Sequence, residues 1–174
     1  MGRGRARRAG SGAVEAMTIF STRPSKLLTF QIRQAETEDD LQAVYALRSR
    51  VFREEQRLAD LPMTDPDEHK SMTLMAIQDG HLIGTGRLSP PAPQRLAYLS
   101  WIATEREYRK HGVGSAIVTE LVDAADRAGY PMTLLSAQTH AIRFYRQFGY
   151  KPFGTVVTVR GIPHQSMSRS RPAS

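Results

Sequence analysis

Apolar positions along the chain change period several times, and each change marks an element. Thr29-Phe30-Gln31-Ile32-Arg33-Gln34 alternates polar and apolar, which predicts a short half-buried strand. In Thr37-Glu38-Asp39-Asp40 a threonine is followed three positions later by an acid, the spacing of a capping box, so a helix starts there. Leu41, Val44, Tyr45, Arg48, Val51 and Phe52 fall on one face of it, with the Arg48 stem snorkelling over the core edge. Pro62, Pro66 and several acids between Leu58 and Lys70 interrupt the period and predict a loop or short irregular helix. The apolar runs 72–78 and 81–88 flank Asp79-Gly80, a strong two-residue hairpin signal. Pro90, Pro91 and Pro93 then make a stiff loop before a further strand at 96–104.

In the second half, Val113, Ala116, Ile117, Leu121, Ala124 and Ala125 recur at helical spacing. Gly129 stands where a C-terminal cap belongs, and Pro131 bars continuation. Residues 132–137 read as a buried strand, and Thr139 as the cap of a short helix carrying Ala141, Ile142, Tyr145 and Phe148. Lys151-Pro152-Phe153 and the run 155–160 read as a last pair of strands. Hairpins combined with one parallel-type crossover imply an α+β, mixed-sheet domain rather than a doubly wound one.

Composition narrows the chemistry. At 174 residues with 40% hydrophobic content, one domain with a proper core is expected. With no cysteine, disulfides, thiolate metal sites and cysteine nucleophiles are excluded. No apolar run reaches the roughly 20 residues of a membrane span and no secretory signal is apparent, so a soluble, cytoplasmic protein without a membrane partner is the default. The net charge of +7 suggests nucleic acid until its distribution is considered. Six cations lie in residues 1–28 against Glu15 alone, and three arginines lie in 160–174, which leaves the middle close to neutral. The basic character belongs to the ends, which argues against a nucleic-acid partner. Residues 1–28 read as a basic, disordered extension, within which Met17 offers an alternative start.

The candidate chemistry centres on Arg109-Lys110-His111-Gly112-Val113-Gly114-Ser115, placed between a strand and a helix. Glycines at 112 and 114 admit a ligand close to the backbone, and the unpaired N–H groups of the following helix point at it. The helix dipole and the two cations favour an anion such as a diphosphate. A glycine turn that merely starts a core helix is the competing reading of the same residues.

This stretch resembles the R/Q-x-x-G-x-G/A motif of the GNAT superfamily of acyl-CoA-dependent N-acetyltransferases. A second run, Ala141-Ile142-Arg143-Phe144-Tyr145-Arg146-Gln147-Phe148-Gly149-Tyr150, resembles a later motif of that family. The likeness extends over about residues 29–167, leaving 168–174 as a flexible tail. Val51-Phe52-Arg53-Glu54-Glu55-Gln56 and Gly161-Ile162-Pro163-His164 are similar to the ElaA-type branch. The resemblance implies a GNAT fold whose sheet splays between its fourth and fifth strands, with acetyl-CoA bound in the opening as acyl donor. Its pyrophosphate would lie on residues 109–114 and Ser115, and its pantetheine along Ile102, Ala103 and Thr104. Gln138 would take the place of an asparagine that contacts the CoA arm in many relatives.

The implied reaction is direct attack of a primary amine, on a small molecule or peptide, with Tyr145 as the acid beside the sulfur. Tyr145 is also readable as a core aromatic. Glu54, Glu55 and His164 are candidate bases, a histidine having the suitable titration range. Each is also readable as a surface or structural residue. No H-x-x-x-H or other ligand spacing suggests a metal. A homodimer is compatible with this reading. The alternative is a non-catalytic CoA-binding module of the same fold, acting as sensor or regulator.

Overall fold

The computed structural model describes residues 17–20, 28–91 and 96–173. In chain order these form β1 (Met17–Phe20), β2 (Thr29–Gln34), α1 (Glu38–Arg48), β3 (Met72–Gln78), β4 (His81–Ser89) and β5 (Leu96–Thr104). There follow α2 (Val113–Arg127), β6 (Met132–Gln138), α3 (Ile142–Arg146), β7 (Lys151–Pro152), β8 (Val157–Val159) and β9 (Ile162–Ser170). The strands make one sheet in the order β1-β2-β3-β4-β5-β6-β9-β7, with β8 also paired to β9. Every neighbouring pair is antiparallel except β5 and β6, which are parallel. This is the expected mixed, mostly antiparallel α+β architecture.

The opening that the sequence resemblance implies lies between β5 and β6, one strand later in the count because β1 adds an edge strand. The pair is joined only at Leu96↔Met132, Ala97↔Thr133 and Tyr98↔Leu134, although β5 runs on to Thr104 and β6 to Gln138. A bulge sits at the point of parting. The β4–β5 register shifts between Thr85↔Ala103 and Arg87↔Ser100, and Trp101 takes a φ of 55°. Bulges bend and twist their strand, which turns the end of β5 away from β6.

Alternation along β3 assigns the two faces of the sheet. Leu74 and Ala76 join Phe30, Ile32, Leu99, Ile117 and Leu121 in the main core under α2, each large side chain worth roughly 1.5–3 kcal/mol of burial. Leu47, Val51 and Ala103 form a smaller cluster under α1. Gly86 lets α2 lie directly on β4: a Cβ there would stand 2.6 Å from Ile117 Cγ2 and 3.0 Å from Leu121 Cδ1. The close approach fixes where the N-terminus of α2 meets the opening.

Local signals are obeyed at most element ends. Asp40 N–H donates to Thr37 Oγ1 at 3.1 Å and Thr37 N–H to Asp40 Oδ2 at 3.2 Å, which is the expected capping box. Helix α2 ends with Tyr130 N–H on Ala125 O and Gly129 N–H on Asp126 O, a Schellman closure. Beyond Arg48 the first helix widens into a π-helical turn over Ser49–Glu55. Such turns often lie at functional sites.

Four expectations are corrected. Arg48 does not snorkel; it is fully buried, its guanidinium bidentate to Glu68. Thr139 caps nothing: a 3₁₀ turn, Thr139–Ala141, begins there with Gln138 at its N-cap and no side-chain bond. The C-terminus is not a tail from residue 168, since β9 pairs along β6 as far as Ser170↔Met132 and Arg169 bridges Asp126 at 2.8 Å. Most of 1–28 lies outside the described residues, yet Met17–Phe20 pairs with β2 instead of hanging free. The helices of the described residues include none long and apolar enough to cross a membrane.

Candidate active site

The glycine stretch becomes a cradle through its backbone. Lys110 and Gly112 adopt φ values of 66° and 84°, which turn the chain sharply into α2. The first helical bond is Ala116 N–H to Gly112 O, and no side chain caps the helix, so the N–H groups of Val113, Gly114 and Ser115 stay open. Gly112, Gly114 and Ser115 border a cleft of about 580 Å3 lined also by Ile102, Thr104, Lys110, Phe144 and Tyr145. A Cβ on Gly114 would stand 3.5 Å from Thr104 Oγ1 and 3.7 Å from Phe144 Cζ. Nothing would clash, but the mouth would narrow. Open donors, the Lys110 cation and a dipole end suit a diphosphate, and the length of the cleft past Thr104 and Ile102 suits an amide-bearing arm.

A second cavity, of about 380 Å3, opens on the other side. Phe52, Leu58, Leu61, Tyr98, Trp101 and Leu135 give it apolar walls, and Gln138, His140, Arg160 and His164 bring polar groups to it. Ile102 and Tyr145 line both cavities. The two spaces therefore meet where β5 and β6 have parted. The Tyr145 phenol is pushed up by burial and, secondarily, by the neighbouring Tyr150, with no hydrogen bond acting on it. It stays protonated over the whole physiological range and is free to donate.

The structure brings together much of what the sequence singled out, with exceptions. Ile102, Thr104, Arg109, Lys110, Gly112, Gly114, Ser115 and Tyr145 line the larger cleft. Ala103 and Val113 are core residues that line neither cavity, and His111 lines neither as well. Gln138 faces the smaller cavity and donates to Gln56 Oε1 at 2.8 Å. Arg109 does not point freely at an anion: it holds the Glu55 carboxylate at 2.8 and 3.0 Å and donates to Thr104 O. Glu55 is thereby engaged and lines neither cavity. His164 lies opposite Gln138 in the β6–β9 register, and its Nδ1 is 2.8 Å from Ile162 O. A carbonyl only accepts, so in the neutral ring the proton sits on Nδ1 and the Nε2 lone pair is free.

The support beneath the smaller cavity was not legible. Glu68 accepts from Arg48 at 2.8 and 3.0 Å and from Arg87 at 2.9 Å, and Arg87 also grips Asp65. Asp65 in turn accepts from the Trp101 indole at 3.3 Å, and the Arg87 guanidinium holds its carboxyl below the usual range. The Arg48 guanidinium lies 4.8 Å from the Trp101 ring, whose other neighbour is the Phe52 edge at 5.5 Å. The network ties the loop 58–71 to the sheet and holds the indole on the cavity wall. Only the excess of buried-face arginine at position 48 hinted at it. Among the described residues no group of three or more acids or histidines is arranged to hold a metal ion.

Comparison with known proteins agrees with this geometry. The model of the acetyltransferase (GNAT) family matches residues 39–150, a span that contains the whole of the larger cleft. The Bacillus subtilis protein YyaT, uncharacterized, is 29% identical over 141 residues, covering 79% of this chain and 94% of its own. The uncharacterized N-acetyltransferase YjcF of the same organism is 29% identical over 136 residues, 78% of this chain and 96% of its own. Among solved structures, an acyl-CoA N-acyltransferase from Pseudomonas aeruginosa superposes with a TM-score of 0.73 at 26% identity, covering 81% of this chain and 98% of that one. Escherichia coli ElaA superposes equally well, 0.73, at 21% identity with the same coverage, a likeness of fold. On the family match and on the cleft it spans, the chain belongs to the acetyltransferase (GNAT) family and is an acyltransferase.

Proposed function

We propose that the protein moves an acetyl group from acetyl-CoA to a primary amine in the cytoplasm, by direct attack without a covalent enzyme intermediate. The observation that carries this reading is the meeting of two cavities at Ile102 and Tyr145, one with an anion cradle and one with apolar walls. In this reading the open N–H groups of residues 113–115, with Lys110, hold the pyrophosphate, and the β5 edge at Ile102 to Thr104 pairs with the pantetheine amides. Bound acetyl-CoA supplies a thioester carbonyl at the junction. The β5 backbone beyond the Trp101 bulge offers N–H groups to the carbonyl oxygen as negative charge develops there.

In this reading His164 Nε2 takes the amine proton, which is supported by its lining the smaller cavity while Glu55 is held by Arg109. Tyr145 donates its phenolic proton to the departing sulfur and is reprotonated from solvent or His164. The C–N bond forms, the C–S bond breaks, and in net one proton passes from nitrogen to sulfur. Glu55 then serves to aim Arg109 across the end of the cradle.

Titration of the purified protein with acetyl-CoA tests the donor site. Saturable binding is expected in the micromolar range typical of enzyme substrates, about 1 μM to 1 mM. Gly114→Asp should fold, because its Cβ meets only ordinary contacts, but lose binding by facing the pyrophosphate with a carboxylate. Unchanged affinity in that variant would overturn the assignment.

A further inference from the structure

The smaller cavity has a chemistry unlike that of a site built for a polycation. No aspartate or glutamate lines it. The acids of the neighbouring loop, Asp60, Asp65, Asp67 and Glu68, contribute nothing to its surface, and Asp65 and Glu68 are bound to Arg87 and Arg48. Glu55 is bound to Arg109. The titratable groups that do reach the cavity are Arg160, His140, His164, Tyr98 and Tyr145. Arg160 occupies the first position of the β8–β9 turn, φ 49° followed by Gly161 at 80°, a type I′ hairpin. No acid pairs with it among the described residues.

An ammonium group entering an apolar, acid-free space is pushed toward its neutral form, which is the nucleophilic one. A second ammonium on the same molecule would be left without a partner, at a cost. A carboxylate, by contrast, meets the Arg160 guanidinium at the rim and can form the stronger, charge-assisted kind of hydrogen bond. The volume, about 380 Å3, is at the small end of ligand cavities and suits one compact molecule.

From this we infer that the acceptor is a small primary amine that carries both an apolar side chain and a carboxylate, the class of the apolar α-amino acids. Arg160 holds the carboxylate, and the Phe52, Leu61 and Trp101 wall takes the side chain. The inference rests on the smaller cavity being the acceptor arm. The product is then the N-acetyl amino acid, formed as the amine nitrogen takes the acetyl group and CoA leaves as the free thiol.

Trp101 is the only tryptophan of the chain and lies on the cavity wall, so its emission reports occupancy without any need for turnover. The full-length protein, with free CoA present so that no transfer occurs, is titrated with leucine, isopentylamine and spermidine, with calorimetry in parallel. Leucine should give a saturable signal, isopentylamine should bind about tenfold or more weakly for want of the carboxylate, and spermidine should give none. Arg160→Gln should reduce leucine binding to the level of isopentylamine. Spermidine binding more tightly than leucine, an Arg160→Gln variant with undiminished leucine affinity, or silence with all three amines would overturn the inference. Leucine binding without acetylation would leave the acceptor class standing and remove the catalytic reading. Acetylation of unrelated amines with no leucine binding would do the reverse.

Discussion

Replacing Glu68 by glutamine keeps the shape of the side chain and removes its charge. In the native structure the carboxylate answers two guanidinium groups at 2.8 to 3.0 Å, and its side chain is 3% exposed, against 0% for Arg48 and 5% for Arg87. After substitution Arg87 retains Asp65, but Arg48 loses its countercharge and keeps only neutral partners, the amide oxygen at position 68, the Met63 carbonyl and the faces of Trp101 and Tyr45. Leaving one buried charge without its partner costs about 3–5 kcal/mol. A domain of this size has about 5–15 kcal/mol in all, so a third or more of its stability is at stake. Urea unfolding followed by Trp101 emission and by far-ultraviolet circular dichroism should show a lower midpoint with an unchanged slope. The double variant Arg48→Met, Glu68→Leu should recover most of the loss, because both charges leave together. A loss below about 1 kcal/mol, as for an exposed pair, or a double variant no better than Glu68→Gln, would refute the reasoning.

Gly86→Ala should cost about 1–3 kcal/mol, since the new methyl meets Ile117 at 2.6 Å on the packed face of α2; a midpoint in thermal unfolding equal to that of the parent would show that α2 can shift. Asp40 has its carboxyl held well below the ordinary range, first by the Arg33 hydrogen bonds. A depressed folded value means a contribution present above the unfolded value of about 3.9 and lost as pH falls through the folded one. The stability gap between the parent and Asp40→Asn should therefore be full near neutrality and shrink in acid, and a gap independent of pH would contradict the pairing. Tyr145→Phe should leave acetyl-CoA affinity unchanged and lower turnover by about 100-fold or more, the usual share of a general acid, as measured by thiol release; turnover equal to the parent's would exclude the phenol from the chemistry.

The parts of the fold that local chemistry controls were legible in the sequence. Thr37 and Asp40 announce a helix start, Asp79-Gly80 a hairpin and Gly129 a helix end, because each acts through bonds within a few residues. The strand β9 was hidden because Gln165 and Ser166 hold inward or mid-sheet positions that a hydrophobic pattern assigns to solvent; Gln165 is buried by donating to Phe153 O. The π-helical turn and the bulge at Trp101 change the period locally, which no fixed-period template follows. At the site, the cradle was readable from glycine spacing and from a family resemblance. The roles of Glu55, Arg48 and Asp65 were not, since each depends on a partner 20 to 54 positions away in the chain: Asp65 is bound by Arg87 at 22 residues, Arg48 by Glu68 at 20, and Glu55 by Arg109 at 54.

We propose acetyl transfer at the junction of the two cavities. It is tested most directly by mixing the protein with acetyl-CoA and a panel of primary amines that includes leucine, and following released CoA thiol and acetylated amine together while weighing the protein. Thiol and acetylated amine should appear in equal amounts, with the mass of the protein unchanged. Bound acetyl-CoA with no thiol released above background across the panel, or an acetyl group retained on the protein, would contradict it.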